Sequence, residues 1–188
     1  LVGLGSDFVL EAANVNVLIN QVSVVNGAKL NWGALGLQDS NGVDVFSDKL
    51  VATVELQASG DVALNLYGFV MAVGSFDIFK GSFSGSDGVI ALTDAQLLTI
   101  QLLNIEVFVG VGGVFEDTAG TATFTDDTVN VDDAIGFQAT VGKLSLALLT
   151  QGTTKYTGLE IQGLGASLVG LGSDFVLEAA NVNVLINQ

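Results

Sequence analysis

The chain has 188 residues and a formal charge of −15, with five lysines, no arginine, no histidine, no cysteine and no proline. Without His and Cys it has no zinc site of the usual kind, no thiol nucleophile and no Ser-His-Asp triad. The negative charge argues against nucleic acid and anionic membranes as partners, because phosphate contacts need Lys and Arg. Hydrophobic residues make up 49% of the chain, which excludes disorder and suffices for a core.

Neither an enzyme nor a membrane-spanning helix is expected. No pair of carboxylates stands out for glycoside hydrolysis, and aromatic platforms for sugars are scarce. The longest uncharged run lies between Glu11 and Lys29, but Asn and Gln residues interrupt it. A transmembrane helix needs about 20 mainly apolar residues. We therefore predict no catalytic residues and no transmembrane helix.

The most informative feature is an internal repeat. Residues 1–21 read LVGLGSDFVLEAANVNVLINQ, and residues 168–188 read the same. Identity over this length is not chance. It predicts a tandem array in which residues 1–167 form one unit and residues 168–188 start the next. Two other origins remain open: a duplicated strand that completes a neighbouring subunit, as in donor-strand assembly, or an engineered duplication.

Alternation of apolar and polar residues runs through the chain and predicts β-strands. The alternation is clearest in residues 14–20, 62–67, 100–105 and 143–148. Residues 68–79 and 106–115 are apolar at successive positions, so we expect these strands to be covered on both faces.

Turns and one helix are predicted between these strands. Ser59-Gly60-Asp61 and Gln151-Gly152 have the composition of turns. Residues 93–98 predict one short helix, with Thr93 as its N-cap, or alternatively a turn into the next strand. The glycine-rich run 110–113 is not followed by the helical pattern that a phosphate loop needs. We interpret this run as a place of close backbone approach or of bulges in a strand.

The edges of the predicted sheet decide the architecture. Proline often protects sheet edges, and this chain has none. Stacking of units would cover the edges instead. The junction at residues 164–171 is apolar and contains no polar linker of the kind that separates beads on a string. We predict an all-β, elongated repeat architecture, either β-solenoid-like or a continuous stacked sheet; tandem β-sandwiches are the alternative.

Two groups of oxygen-bearing side chains are candidate calcium sites. The larger group contains Glu116, Asp117, Asp126, Asp127, Asp132 and Asp133, and the weaker one contains Asp39, Asn41 and Asp44. Calcium takes about six to eight oxygen ligands, and a divalent ion would relieve the repulsion among close carboxylates. Neither group has the spacing of an EF-hand loop. A solvated acidic loop and a turn, respectively, are the alternative interpretations.

Residues 62–70 and 104–113 resemble repeats of very large secreted or surface proteins of Gram-negative bacteria and planctomycetes. Those proteins are grouped with haemolysin-type (RTX-like) calcium-binding adhesins. The resemblance covers most of the 167-residue unit in its pattern. In such proteins the loop after the Gly-Gly segment is rich in Asp and Gly, so the resemblance implies calcium binding at residues 116–133 here. This loop keeps the acids and lacks the alternating Asp-Gly-Asp.

Repeat, composition and resemblance together predict a structural role. We expect a repeat of a giant extracellular fibre, adhesin shaft or biofilm matrix filament at the bacterial surface. Its partners would be neighbouring identical repeats, which pair strands and stack apolar surface end to end; calcium is the one cofactor suggested. A calcium- or glycan-binding β module and a subunit of a donor-strand filament are the alternatives.

Overall fold

The computed structural model describes residues 8–24, 27–172 and 175–188. This part of the chain is all-β, as predicted, with one 3-10 turn at Gly33–Leu35. The strands are β1 Phe8–Ile19, β2 Val54–Leu66, β3 Val70–Ser86, β4 Ala91–Val111, β5 Val114–Glu116, β6 Thr128–Asn130, β7 Ile135–Gln151, β8 Thr154–Val169 and β9 Glu178–Asn187. In these three stretches, no helix is long and apolar enough to cross a membrane.

Seven long strands form one antiparallel sheet in the order β1-β2-β3-β4-β7-β8-β9. β5 and β6 pair with each other in a separate small hairpin between β4 and β7. The four clearest alternating segments lie in β1, β2, β4 and β7, so those strand predictions are confirmed. The closed or stacked repeat architecture remains a prediction.

Two local predictions are wrong and one is confirmed. Thr93–Leu98 is part of β4 and not a helix, because Leu97 and Leu98 pair with β3 on one side and β7 on the other. Ser59-Gly60-Asp61 lies inside β2 and not in a turn. Gln151-Gly152 does form the turn between β7 and β8.

A row of backbone irregularities crosses the sheet at mid-height. Four residues in this row have a left-handed φ between about 50° and 65°: Asn14 at 51°, Asn104 at 51°, Gly163 at 64° and Asn181 at 53°. They lie at register shifts between neighbouring strands. Asn and Gly tolerate this left-handed conformation best, and it produces a bulge that bends and twists the sheet. Gly60 of β2 lies beside the bulge in β1, where a Cβ would be 3.1 Å from the carbonyl oxygen of Ala13.

The buried core lies where the segment that carries β5 and β6 folds over one face of the sheet. Met71 and Phe108 of the sheet are fully buried and pack against Val129 and Ala134 of that segment. The Phe108 ring lies so close to Gly113 that a Cβ there would be 2.6 Å from it. Close approach of this ring is the reason for glycine at Gly113. The predicted close backbone approach is found at Gly110, where a Cβ would lie 2.3 Å from the carbonyl oxygen of Ile135.

The opposite face of the same strands is open. Val109 and Val111 of β4 are 49% and 48% exposed. Residues 106–115 are thus covered on one face, and the prediction that they are covered on both is wrong. The reason is that the sheet forms a single layer here and the segment with β5 and β6 lies on one side of it.

Candidate functional site: the repeated edge strands and the acidic loop

The two copies of the repeated segment form the two edges of the sheet. β1 lies in the first copy and pairs with β2, and β9 lies in the second copy and pairs with β8. Residues 1–7 and 173–174 of the two copies lie outside the described part. The edge position of both strands was not predicted from the sequence, because strand order depends on pairing between distant segments.

The bulge has the same local conformation in both copies. The bulge residue has a φ of 51° at Asn14 and of 53° at Asn181. Two residues later, the side-chain amide of Asn16 donates to the carbonyl of Asn14 at 3.0 Å, and that of Asn183 donates to the carbonyl of Asn181 at 3.4 Å. The bulge is therefore a property of the repeated sequence and is retained in two different surroundings.

The end of the repeat is buried in the first copy. The Asn20 side chain is 1% exposed and donates to the carbonyls of Leu30 and Val51 at 2.7 and 3.0 Å. Its own oxygen accepts from the Trp32 indole at 3.1 Å, and Trp32 packs against Phe46. The equivalent Asn187 is exposed. Asn20 thus connects β1 to the segment 27–53 through three hydrogen bonds.

Two carboxylates of the sheet hold the acidic loop, which we define as residues 116–133. Glu106 of β4 accepts a hydrogen bond from the backbone amide of Val129 at 2.9 Å. Glu11 of β1 accepts from the amide of Phe124 at 3.2 Å. Neither glutamate was singled out from the sequence, since their partners are 23 and 113 residues away. The first edge strand and the acidic loop are therefore linked.

Three of the six carboxylates of the acidic loop accept hydrogen bonds from the loop itself. Asp117 accepts from the amides of Gly120 and Thr121 at 2.6 and 3.2 Å. Asp126 accepts from the hydroxyls of Thr121 and Thr123 at 2.9 and 2.8 Å. These hydrogen bonds hold the pKa of Asp126 below its ordinary value, first through Thr123 and then through Thr121.

The remaining predicted ligands are spread along the loop. Glu116 accepts from the Asn130 side chain at 3.1 Å, and the backbone amide of Asp132 donates to Asn130 at 3.0 Å. Asp133 follows directly and is exposed. Within the described residues, no three carboxylates converge on one position where they could share a metal ion. Calcium binding by these acids stays a prediction.

Asp127 differs from its neighbours because it is buried. It is 8% exposed, and its Oδ1 atom has no hydrogen-bond partner. Burial, followed by the negative charges of Asp117, Asp126 and Glu11, raises the pKa of Asp127. The charged form of this carboxylate is therefore a cost to the fold that a cation or protonation would relieve.

Replacing Asp127 with asparagine should stabilise the protein at neutral pH. Because the pKa of Asp127 is raised in the folded state, protonation of Asp127 favours folding. This contribution is complete below the ordinary pKa of 3.8 and is lost as the pH rises through the raised pKa. At pH 7 the variant should melt about 2–4 °C higher, as expected for about 1 kcal/mol in a chain of this size. The gain should vanish in acid.

The adjacent Asp126 supplies the matched control, measured by the same thermal melts across pH. Its pKa is lowered, so its ionised form supports the fold above the unfolded-state pKa, and that support is lost as the pH falls. Asp126→Asn should therefore destabilise the protein at pH 7. Two variants that shift the melting temperature in the same direction would contradict this account.

The weaker calcium candidate is built as a turn. Asp39 accepts from the amides of Asn41 and Val43 at 2.8 and 2.9 Å, and these backbone bonds, the one from Val43 first, lower the pKa of Asp39. Asp44 accepts from the side chain of Gln38 at 3.3 Å. The oxygens of this loop thus serve its own backbone and side chains.

A shallow groove of about 440 Å³ lies on the polar face of β4, β7 and β8. Polar side chains from four neighbouring strands line it: Asp77, Gln101, Ser145 and Glu160. Ser145 and Glu160 pair across strands, and this row could not be predicted from the sequence because its residues are far apart along the chain. Its described lining contains no aromatic ring on which a sugar could stack.

Comparison of the chain with protein-family models, with curated proteins and with solved structures gives no match.

Proposed function

We propose that the chain is a structural repeat of an extracellular fibre or adhesin shaft, in which identical units join end to end by strand pairing. The observation that supports this most is that both copies of the repeated segment are edge strands with the same bulge. An exposed edge strand presents unpaired amides and carbonyls that bind another strand. A chain with matching segments at both edges is suited to polymerise.

The side chains of the edge strands support the same function. On β1, Val15, Val17 and Ile19 are 52%, 55% and 56% exposed, and on β9, Leu185 is 77% exposed. Apolar strands without proline are prone to pair with further strands. In a fibre this surface is covered by the neighbouring unit. The charge of −15 would keep separate fibres apart.

The mass of the native chain under denaturing conditions tests the proposal. An antibody raised against this unit should detect a species far above 19.3 kDa on immunoblots, and it should label filaments at the cell surface. A native chain of about this mass would overturn the covalent array. It would favour the donor-strand filament, in which residues 168–188 of one subunit occupy the place of residues 1–21 in the next.

Cation binding at the acidic loop is a second candidate function, and Asp127 is the observation that favours it. A buried carboxylate oxygen without a partner is costly, and a calcium ion could satisfy it. Thermal melts with calcium and with EDTA test this candidate. A calcium-dependent rise in melting temperature that Asp127→Asn abolishes would support it, and equal melting temperatures would remove it.

A further inference from the structure

The two copies of the repeated strand use opposite edges. In β1 the amide of Asn20 donates to the carbonyl of Glu55 in β2 at 3.1 Å. Directly after β9, Gln188, which copies residue 21, exchanges both backbone hydrogen bonds with Thr157 of β8 at 2.8 and 3.0 Å. Successive residues of a strand direct their backbone groups to opposite sides. Position 20 faces one neighbour and position 21 faces the other.

The pairing near these bonds is regular, so the difference in edge is not the product of a bulge. On β1 the register runs without a shift from Asn16↔Ser59 to Ile19↔Leu56. On β9 it runs without a shift from Val184↔Ile161 to Asn187↔Gly158. Each copy therefore leaves free the edge that the other copy uses.

Cross-strand rows show how a further unit would fit. One row runs Val17, Ala58, Ile78, Ile100, Leu146, Leu159 and Ile186 across all seven strands. The row begins in the first copy at Val17, which is position 17 of the repeat. It ends in the second copy at Ile186, which is equivalent to position 19. On the other side of the bulge, a second row begins at Leu10 in β1 and ends at Ala179 in β9, which is equivalent to position 12 of the repeat.

Both rows therefore advance by two residues across one unit. Since side chains alternate between faces with a period of two, an even shift keeps every row on its own face. A shift of one or three residues would place the apolar row of one unit on the polar face of the next. The strand register therefore allows the same repeated strand to form the last strand of one unit and the first strand of the next.

We propose that the repeated segment is a single strand shared by two successive units, bonded through one edge to β8 of the preceding unit and through the other to β2 of the following one. This inference rests on the proposed function and specifies its junction. The partner is another copy of this unit. Each unit then adds six long strands, and its rows slide by about 7 Å along the strands.

Strand sharing differs from docking of two complete edges. In docking, β9 of one unit pairs with a separate β1 of the next, and each unit keeps seven long strands. In sharing, one strand fills both positions, and no residues are left over between units because the repeat period ends where the second copy begins. The two junctions differ in the strand that covers the free edge of residues 178–188, which is a separate β1 in docking and β2 of the following unit in sharing.

Amide hydrogen exchange of the 188-residue chain, followed by NMR, tests the edge assignment. In β1 the amides of Leu18 and Asn20 should exchange at least about tenfold more slowly than those of Val17 and Ile19, as amides in stable hydrogen bonds do. In β9 the order should be reversed, with Ile186 slow and Leu185 fast. The same order in both copies would overturn the inference.

A lengthened chain, in which residues 22–188 follow Gln188 directly, tests the sharing itself. The amides of Leu185 and Asn187 should now be at least about tenfold slower than in the 188-residue chain, because their free edge binds β2 of the second unit. If the lengthened chain forms fibres while these amides remain fast, the fibre function stands and strand sharing is overturned.

Engineered cysteines give a second readout that tolerates aggregation, and the chain has no cysteine of its own. Ile19 and Leu56 form a non-hydrogen-bonded pair in β1 and β2, where Cα atoms lie about 4.5 Å apart and a disulfide can form. In the lengthened chain, Ile186→Cys and Leu56→Cys of the second unit should therefore oxidise to a disulfide. Leu185→Cys, on the opposite face, is the control and should not. Failure of the first pair would overturn sharing.

Discussion

Replacing Phe108 with alanine should lower the free energy of unfolding by about 3–5 kcal/mol, the loss expected when a large buried ring is removed from a core. Phe108 is fully buried, and its ring fills the space that Gly110, Gly113 and Gly136 leave open. Those glycines have no side chain that could move into the cavity. The surrounding backbone can collapse only in part, which places the loss toward the upper end of this range.

Urea unfolding curves measure the change, with Phe69→Ala as the matched control. Phe69 lies in the turn between β2 and β3, is 59% exposed and should change stability by less than about 0.5 kcal/mol. A similar loss in both variants would mean that the contact between the sheet and the segment 112–134 contributes little to stability. The m-value should stay unchanged if the cavity acts on the native state.

The sequence predicts the strands well because their signal is local. In β1, Val15 and Val17 alternate with Asn14 and Asn16, and this pattern alone predicts a strand. Thr93–Leu98 shows the limit of that approach. Its cap-like threonine favours a helix locally, but pairing with β3 and β7 overrides this preference. Pairing partners that are distant along the chain leave no mark on a short window of sequence.

The candidate site was predictable in part for the same reason. The repeat at 1–21 and 168–188 is visible in the sequence, but its location at the two sheet edges depends on the strand order. The acids of residues 116–133 were identified as a cluster. That Asp117 and Asp126 bind their own loop, whereas Asp127 is buried without a partner, depends on how the loop folds over the sheet.

Two asparagines that occupy the same position of the repeat should respond very differently to the same substitution. Asn20→Ala should cost about 2–4 kcal/mol, because it removes all three hydrogen bonds of a buried side chain and takes this partner from the Leu30 carbonyl and the Trp32 indole. Asn187→Ala should cost less than about 0.5 kcal/mol in the 188-residue chain, since Asn187 is exposed.

The comparison controls for local sequence, because the preceding 19 residues are identical in the two copies. Urea unfolding measures the loss of stability in each variant. Equal losses would contradict the conclusion that Asn20 stabilises the protein through its hydrogen bonds to the segment 27–53. In the lengthened chain, a second copy of that segment follows Asn187. If strand sharing is correct, Asn187 becomes buried as Asn20 is, and Asn187→Ala should then also cost about 2–4 kcal/mol. A loss that stays below about 0.5 kcal/mol there would show that the second copy folds without taking up the environment of the first.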